Sequence, residues 1–371
     1  MVADRNQEEV FKLEEAFDTQ RKRESRKERR RLTEKDRSQF KKSDRDQRKK
    51  LQTTPPPPTD HLIQGDVIAI LSDGIMVRAD AATFRCSLRG ALKQLRKQNK
   101  NLVAVGDHVY FEQLGHSEGA ISHIGPRHSL LARADHLSQN RQQLIAVNVD
   151  QVLITTSIHS PPLKPPLIDR YLIAAGKGNL KAIILINKID CLPKLSAVER
   201  ALYEETLSCY RTLNISILPL SIKTGEGLDL LKRFMEGKIS VLSGQSGTGK
   251  SSLLNAVANT HLPVGSVVER TRKGSHTTTT TEMLPLPFGG FCIDTPGVQS
   301  FGLWELSKQD IFSYFPEITS LQTRCRYANC SHLEEAGCVA EQASEEGLIS
   351  YLRFASYRSL MSSLSQAHHP R

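Results

Sequence analysis

Apolar positions follow four different patterns along this chain. Residues 1–60 are charged and nearly free of core-forming side chains, and they close on a proline run from Pro55 to Pro58. Such a stretch buries too little apolar surface to fold by itself, and its prolines favour an extended spacer. A mostly disordered tail is expected there. Residues 61–131 change to short apolar runs at 67–71, 75–78, 83–87, 108–111 and 120–124. Gly65-Asp66, Asp73-Gly74, Gly106-Asp107 and Gly125-Pro126 punctuate them. Short strands at this density, bounded by turn residues, predict a small closed β-barrel of the OB type.

Between 132 and 302 strands and helices alternate. The runs 151–156 and 182–186 are almost wholly apolar, as strands covered on both faces must be. Further strands are expected at 215–220, 239–242 and 290–293, with helices at 166–176, at 197–213 and from Lys250 onward. This is the pattern of a doubly wound α/β domain. Beyond 303, two helical stretches at 306–315 and 344–364 flank a group of cysteines. The expected architecture is therefore multidomain, with a tail, a barrel, an α/β domain and a small helical domain.

Charge sharpens one part of this picture. The net charge is +10, and residues 21–50 alone carry 16 Lys/Arg against 6 Asp/Glu, so the rest of the chain sums to zero. A local excess of this size suits a polyanionic partner, RNA more readily than a membrane surface. No apolar run approaches the about 18 residues of a membrane span. The charged start lacks the apolar stretch of a signal peptide, so a cytoplasmic protein without membrane attachment is expected. The cysteine count is odd, at seven, and three cysteines share a short segment with a histidine. That favours a metal site in a reducing compartment over a disulfide framework.

The candidate chemistry starts at Gly244-Gln245-Ser246-Gly247-Thr248-Gly249-Lys250-Ser251, which fits a phosphate loop. It runs from a predicted strand into a predicted helix that begins with Lys250, Ser251 and Ser252. Its glycines let backbone N–H groups wrap phosphate oxygens, Lys250 neutralises β and γ charge, and Ser251 is the candidate Mg²⁺ ligand. Asn187-Lys188-Ile189-Asp190 ends a predicted strand. The Asp190 carboxylate can accept two hydrogen bonds from guanine N1–H and N2–H₂, which adenine does not offer, and Lys188 can cover one base face with its stem. Ser221-Ile222-Lys223, after another strand, takes the place of the loop beside guanine O6. Asp294-Thr295-Pro296-Gly297 follows the strand at 290–293, where Asp294 can reach Mg²⁺ through water and the Gly297 N–H can meet the γ-phosphate. Gly274 to Thr281 falls where a switch segment belongs. One of Thr277, Thr278 or Thr279 is expected to close on the nucleotide, and His276 is placed to orient the attacking water if the segment folds inward. Val298 stands where many GTPases carry a water-orienting Gln, so slow intrinsic hydrolysis is expected.

These motifs come in an unusual order. The guanine motif precedes the phosphate loop, although in an ordinary GTPase it follows. A circularly permuted GTP-binding domain is the simplest explanation. Further on, Cys325, Cys330, His332 and Cys338 fall within fourteen residues. Three thiolates and an imidazole make a closed tetrahedral set for one structural Zn²⁺, with no position left open for catalysis. The other cysteines are scattered, and core or surface thiols are expected.

The succession of NKxD, S-x-K, G-Q-S-G-x-G-K-S-S, G-x-H-T-T-T, D-x-P-G and C-x₄-C-x-H-x₅-C resembles the RsgA family, the circularly permuted GTPases of bacterial small-subunit assembly. The likeness covers residues 61–365. It implies that Asn187, Lys188 and Asp190 read guanine, that Gly244 to Ser252 hold the phosphates, and that Cys325, Cys330, His332 and Cys338 bind zinc. It also implies a partner, the 30S ribosomal subunit with its 16S rRNA, which stimulates hydrolysis, and a role in late assembly coupled to release. Two features depart from the family. Ile222 replaces a small residue, and the tail of residues 1–60 is longer than the family leads one to expect. A monomer is expected, since nothing suggests an obligate dimer. The residues alone leave open a GTP-regulated RNA-binding factor acting on tRNA or another translation component.

Overall fold

The computed structural model describes residues 61–80, 82–98, 102–134, 142–259, 281–294, 307–327, 330–333 and 335–367. The basic tail, the switch segment with His276 and Thr277 to Thr279, and residues 295–306 lie outside them.

Five strands come first: β1 (Ile63–Ile70), β2 (Ile75–Ala79), β3 (Ala82–Leu88), β4 (His108–Gln113) and β5 (Glu118–Ile124), with helix α1 (Gly90–Gln98) between β3 and β4. Their buried positions alternate with half-buried or exposed ones, as the period of a strand demands. The strands run β1-β2-β3-β5-β4, and an antiparallel β1–β4 pair closes the ring. Val67, Ile75, Val77, Phe84, Val109, Phe111 and Ile121 fill it. The expected OB-like barrel is present, with α1 as an addition. An antiparallel hairpin of β6 (Leu130–Ala134) and β7 (Gln142–Val147) leads onward.

The α/β part contains, in chain order, β8 (Gln151–Ser157), α2 (Pro165–Lys177), β9 (Lys181–Asn187), α3 (Ala197–Thr212), β10 (Ser216–Pro219), α4 (Leu228–Met235), β11 (Ile239–Gly244), α5 (Lys250–Ala258), β12 (Glu282–Pro285) and β13 (Phe291–Asp294). A 3₁₀ turn, Ile189–Lys194, joins β9 to α3. Proline at the first turn starts α2 at no hydrogen-bond cost. Ser196 and Glu199 form a reciprocal capping box at the start of α3. The strands lie in the order β10-β9-β8-β11-β13-β12. All are parallel except β12. The central β11 thus has the earlier strands β8, β9 and β10 on one side and the later β13 and β12 on the other. In the same sheet β1 of the barrel pairs with β12 through Ala69 and Glu282.

The C-terminal helices are α6 (Lys308–Ser313), α7 (Pro316–Thr319), α8 (Val339–Glu345) and α9 (Tyr351–Ala367). A single helix over 344–364 was expected. The structure divides it, because Gly347 adopts φ +73° and ends α8 before α9 begins. Phe315, Tyr357, Leu360, Cys330 and Cys338 share the core of this lobe with Ile173 of α2. Among the described residues no helix is long and apolar enough to cross a membrane.

Candidate nucleotide and metal sites

Parallel strands bring all their C-terminal ends to one edge of the sheet, and ligands of such sheets collect at that edge. The three loops of interest leave it from β9, β10 and β11. The phosphate loop turns sharply at both ends. Gly244 has φ +140°, and a Cβ there would come 2.0 Å from the Thr155 carbonyl of β8. At Gly249, φ is +96° and a Cβ would lie 2.4 Å from Asn187 Nδ2. Within the loop the Thr248 hydroxyl donates to the Gln245 carbonyl at 2.8 Å.

Lys250 opens α5 and folds its ammonium back over the loop, donating to the carbonyls of Gly244 (2.8 Å) and Gln245 (2.7 Å). Burial lowers its pKa to about 8, since desolvation disfavours the charged form. Ser246, Gly247 and Ser251 are exposed, and Ser252 is half-buried.

The two motifs separated in sequence meet here. Buried Asn187 donates from Nδ2 to the Thr248 carbonyl at 2.8 Å, and its Oδ1 accepts from the Lys188 N–H at 2.7 Å. Lys188 holds φ +68° and donates its ammonium to the Gly247 carbonyl at 2.8 Å and to that of Ser160. Ile189 is buried and turns the chain back, its N–H on the Leu220 carbonyl. Asp190 remains partly exposed and accepts from the Ser221 hydroxyl at 2.7 Å. That bond is the main reason its carboxyl lies below the ordinary aspartate pKa. Ser221 Oγ in turn accepts from the Thr224 N–H. Ile222 tucks into the core beside α4 and α5, and a Cβ at Gly249 would be 3.4 Å from its Cδ1. The bulk that departs from the family pattern is thus absorbed by packing under the phosphate loop. Lys223 is exposed. Asp294 ends β13, one strand from β11. His276, Thr279 and Gly297 lie outside the described residues.

In the C-terminal lobe the ligand atoms of Cys325, Cys330, His332 and Cys338 all lie within 4.8 Å of one another. His332 Nδ1 is 3.6 Å from Cys325 Sγ, 3.7 Å from Cys330 Sγ and 3.4 Å from Cys338 Sγ. A tetrahedral zinc with Zn–S near 2.3 Å and Zn–N near 2.0 Å would hold sulfur and nitrogen about 3.5 Å apart. The residues therefore fit the metal in number, chemistry and spacing. His332 takes the left-handed φ of +57° that aims its ring at the thiols, and it lies parallel to Phe312. Burial, with the neighbouring thiols adding to it, pushes Cys330 up to about 12, a penalty that a bound cation would reverse. Glu335 fixes the turn by accepting from the N–H groups of Ser331 and Leu333.

A family model described as RsgA GTPase matches residues 124–304. The small ribosomal subunit biogenesis GTPase RsgA of Chlorobaculum parvum is 37% identical over 278 residues, which cover 72% of this chain and 88% of that protein. The protein of the same name from Ectopseudomonas mendocina is 38% identical over 298 residues, covering 79% and 82%. This chain belongs to the RsgA GTPase family. It shares the fold of YjeQ from Thermotoga maritima, with a TM-score of 0.64, 29% identity, and coverage of 82% of this chain and 98% of that one. YloQ, a circularly permuted GTPase, aligns with a TM-score of 0.62, 26% identity, and coverage of 86% and 100%. As an RsgA GTPase the chain hydrolyses GTP on a permuted α/β domain behind an OB-like barrel.

Sequence reasoning about this RsgA-type site missed Ser160, whose carbonyl anchors Lys188, and the way Asn187 ties its own loop to Thr248. The first had only a faint signal, a proline-rich stretch after an apolar strand. The second had none, because the partners are 61 residues apart.

Proposed function

We propose that this GTPase binds the small (30S) ribosomal subunit and its 16S rRNA late in assembly, that the ribosome stimulates its hydrolysis, and that hydrolysis drives release. The observation that carries the reading is the junction of the guanine motif with the phosphate loop, through Asn187 to Thr248 and Lys188 to Gly247. It gives one cleft with a base end and a phosphate end. Asp190, held by Ser221, reads guanine N1–H and N2–H₂, and the Lys188 stem covers a base face. The backbone from Gly244 to Ser252 and the Lys250 ammonium take the phosphates once the nucleotide displaces the loop's own carbonyls from Lys250. A magnesium ion held by Ser251, with Asp294 behind it, neutralises β- and γ-oxygens. Gly297, a threonine among Thr277 to Thr279 and His276 complete the γ-phosphate end in this proposal.

Cys325, Cys330, His332 and Cys338 hold one structural zinc. The names printed for the relatives support the ribosomal partner. The excess charge of residues 21–50 supports an RNA contact. Functional units run from 1–60 (tail), 61–131 (barrel), 132–302 (GTPase) to 303–371 (zinc-binding helices), acting as a cytoplasmic monomer. With Val298 where a glutamine would orient water, hydrolysis waits for the ribosome. Single-turnover GTP hydrolysis with purified 30S subunits, 50S subunits or tRNA tests this. Acceleration by 30S alone is expected. Equal rates in all three mixtures would refute the ribosomal role, and acceleration by tRNA would redirect it.

A further inference from the structure

Helix α2 touches three parts of the molecule along its length. At its start Leu167, Ile168 and Tyr171 face Gln245 of the phosphate loop across a small cavity. Tyr171 lies beside Ser243, the residue before Gly244, and Ser243 works against the upward push of burial on its phenol. Midway, Asp169 pairs with Arg353 of α9 and accepts from the Tyr210 hydroxyl at 3.1 Å. Arg353 also reaches Glu317 at 2.7 Å and the Tyr314 carbonyl at 3.1 Å, with its guanidinium 4.0 Å above the Phe315 ring. Near its end Gly176 meets Tyr314 so closely that a Cβ would come 2.3 Å from the ring, and Lys177 pairs with Asp310. Finally the Gly178 carbonyl accepts from the Leu130 N–H of the β6–β7 hairpin.

Asp169 and Arg353 are nearly sealed, with side chains 1% and 7% exposed. A buried charge tolerates separation from its partner badly, so α2 and α9 are fixed to each other. The lobe that α9 closes is organised around Cys330 and Cys338, and Ile173 of α2 lies in that same core. Tyr171 and Asp169 are two residues apart and so point to different sides of α2. One side meets β11, the other meets the lobe. A packed helix moves as a unit, so displacing the lobe displaces Tyr171 at the root of the phosphate loop.

We propose that Arg353 is a positioning residue for nucleotide binding: acting through Asp169 it fixes α2 against the root of the phosphate loop, so metal binding in the lobe and nucleotide binding are coupled. This rests on the nucleotide and metal readings above.

The test uses the full chain, loaded with zinc, and a fluorescent GDP. Arg353→Met should weaken GDP about tenfold, within the usual range of coupling between sites, while zinc stays bound. Arg353→Lys, which keeps a charge against Asp169, should recover most of that loss. By reciprocity, zinc should tighten GDP binding to the unaltered protein, and GDP should tighten zinc binding by the same factor that zinc tightens GDP, read by competition with a chelator. Unchanged GDP affinity in a zinc-loaded Arg353→Met variant would overturn the proposal. So would equal zinc affinity of the unaltered protein with and without GDP, a result that also decides the matter if the variant does not fold. Failure of the unaltered protein to bind GDP, or to bind zinc, would instead remove the corresponding reading, and the coupling with it.

Discussion

Asp190 illustrates how a single side chain depends on a residue far along the chain. Its Oδ1 is occupied by Ser221, which leaves the carboxylate oriented and ionised at the mouth of the cleft. Asp190→Asn keeps the shape but removes one acceptor, so discrimination between GDP and ADP should fall by about 2–4 kcal/mol in calorimetry. Lys250 makes a pH-dependent counterpart. Without nucleotide its pKa is about 8, while phosphate favours the ammonium. The free protein offers that ammonium almost fully below about pH 7, half of it at pH 8 and progressively less above. GDP affinity should therefore be flat up to about pH 7, about halved at pH 8 and about tenfold lower by pH 9, with proton uptake on binding seen as a buffer-dependent enthalpy. Both residues were legible in the sequence because phosphate and guanine chemistry dictate a local spelling. The pairing of Asp169 with Arg353 was not, because the partners are 184 residues apart and each reads as an ordinary helix charge.

Elements were legible where a local rule acts without competition. The helices expected at 166–176 and 197–213 are present as α2 and α3, and local devices support both: a first-turn proline in α2 and the Ser196–Glu199 capping box at the start of α3. Periodicity failed where pairing is decided at a distance. β6, β7 and β12 are short, and α1 is polar, so nothing local distinguished them from loops. The break between α8 and α9 was marked by Gly347, a residue that helical spacing on either side concealed. The end of α2 shows the same dependence on a distant neighbour. A Cβ on Gly178 would lie 2.4 Å from the Leu130 carbonyl, a backbone atom with little freedom to move. Gly178→Ala should then destabilise the fold by about 1–3 kcal/mol, measured as a lower urea midpoint at unchanged slope.

At the scale of the whole molecule the rotated motif order leaves the sheet intact. β8, β9 and β10 precede β11 in the chain yet lie beside it in the sheet, so the active edge is assembled from both halves. What the sequence did not disclose is how the barrel is attached. It is hydrogen-bonded into the same sheet, because β1 pairs with β12. Ala69 stands opposite Glu282, and Glu282 stands opposite Asp294. Arg78 of the barrel adds a second tie, its guanidinium 4.1 Å above the ring of Phe291. Adjacent strands lie about 4.8 Å apart, so only about 10 Å separates the barrel backbone from Asp294. Whatever grips the barrel therefore holds a short lever arm: a twist applied there arrives, two rungs later, at the end of β13 where Asp294 stands.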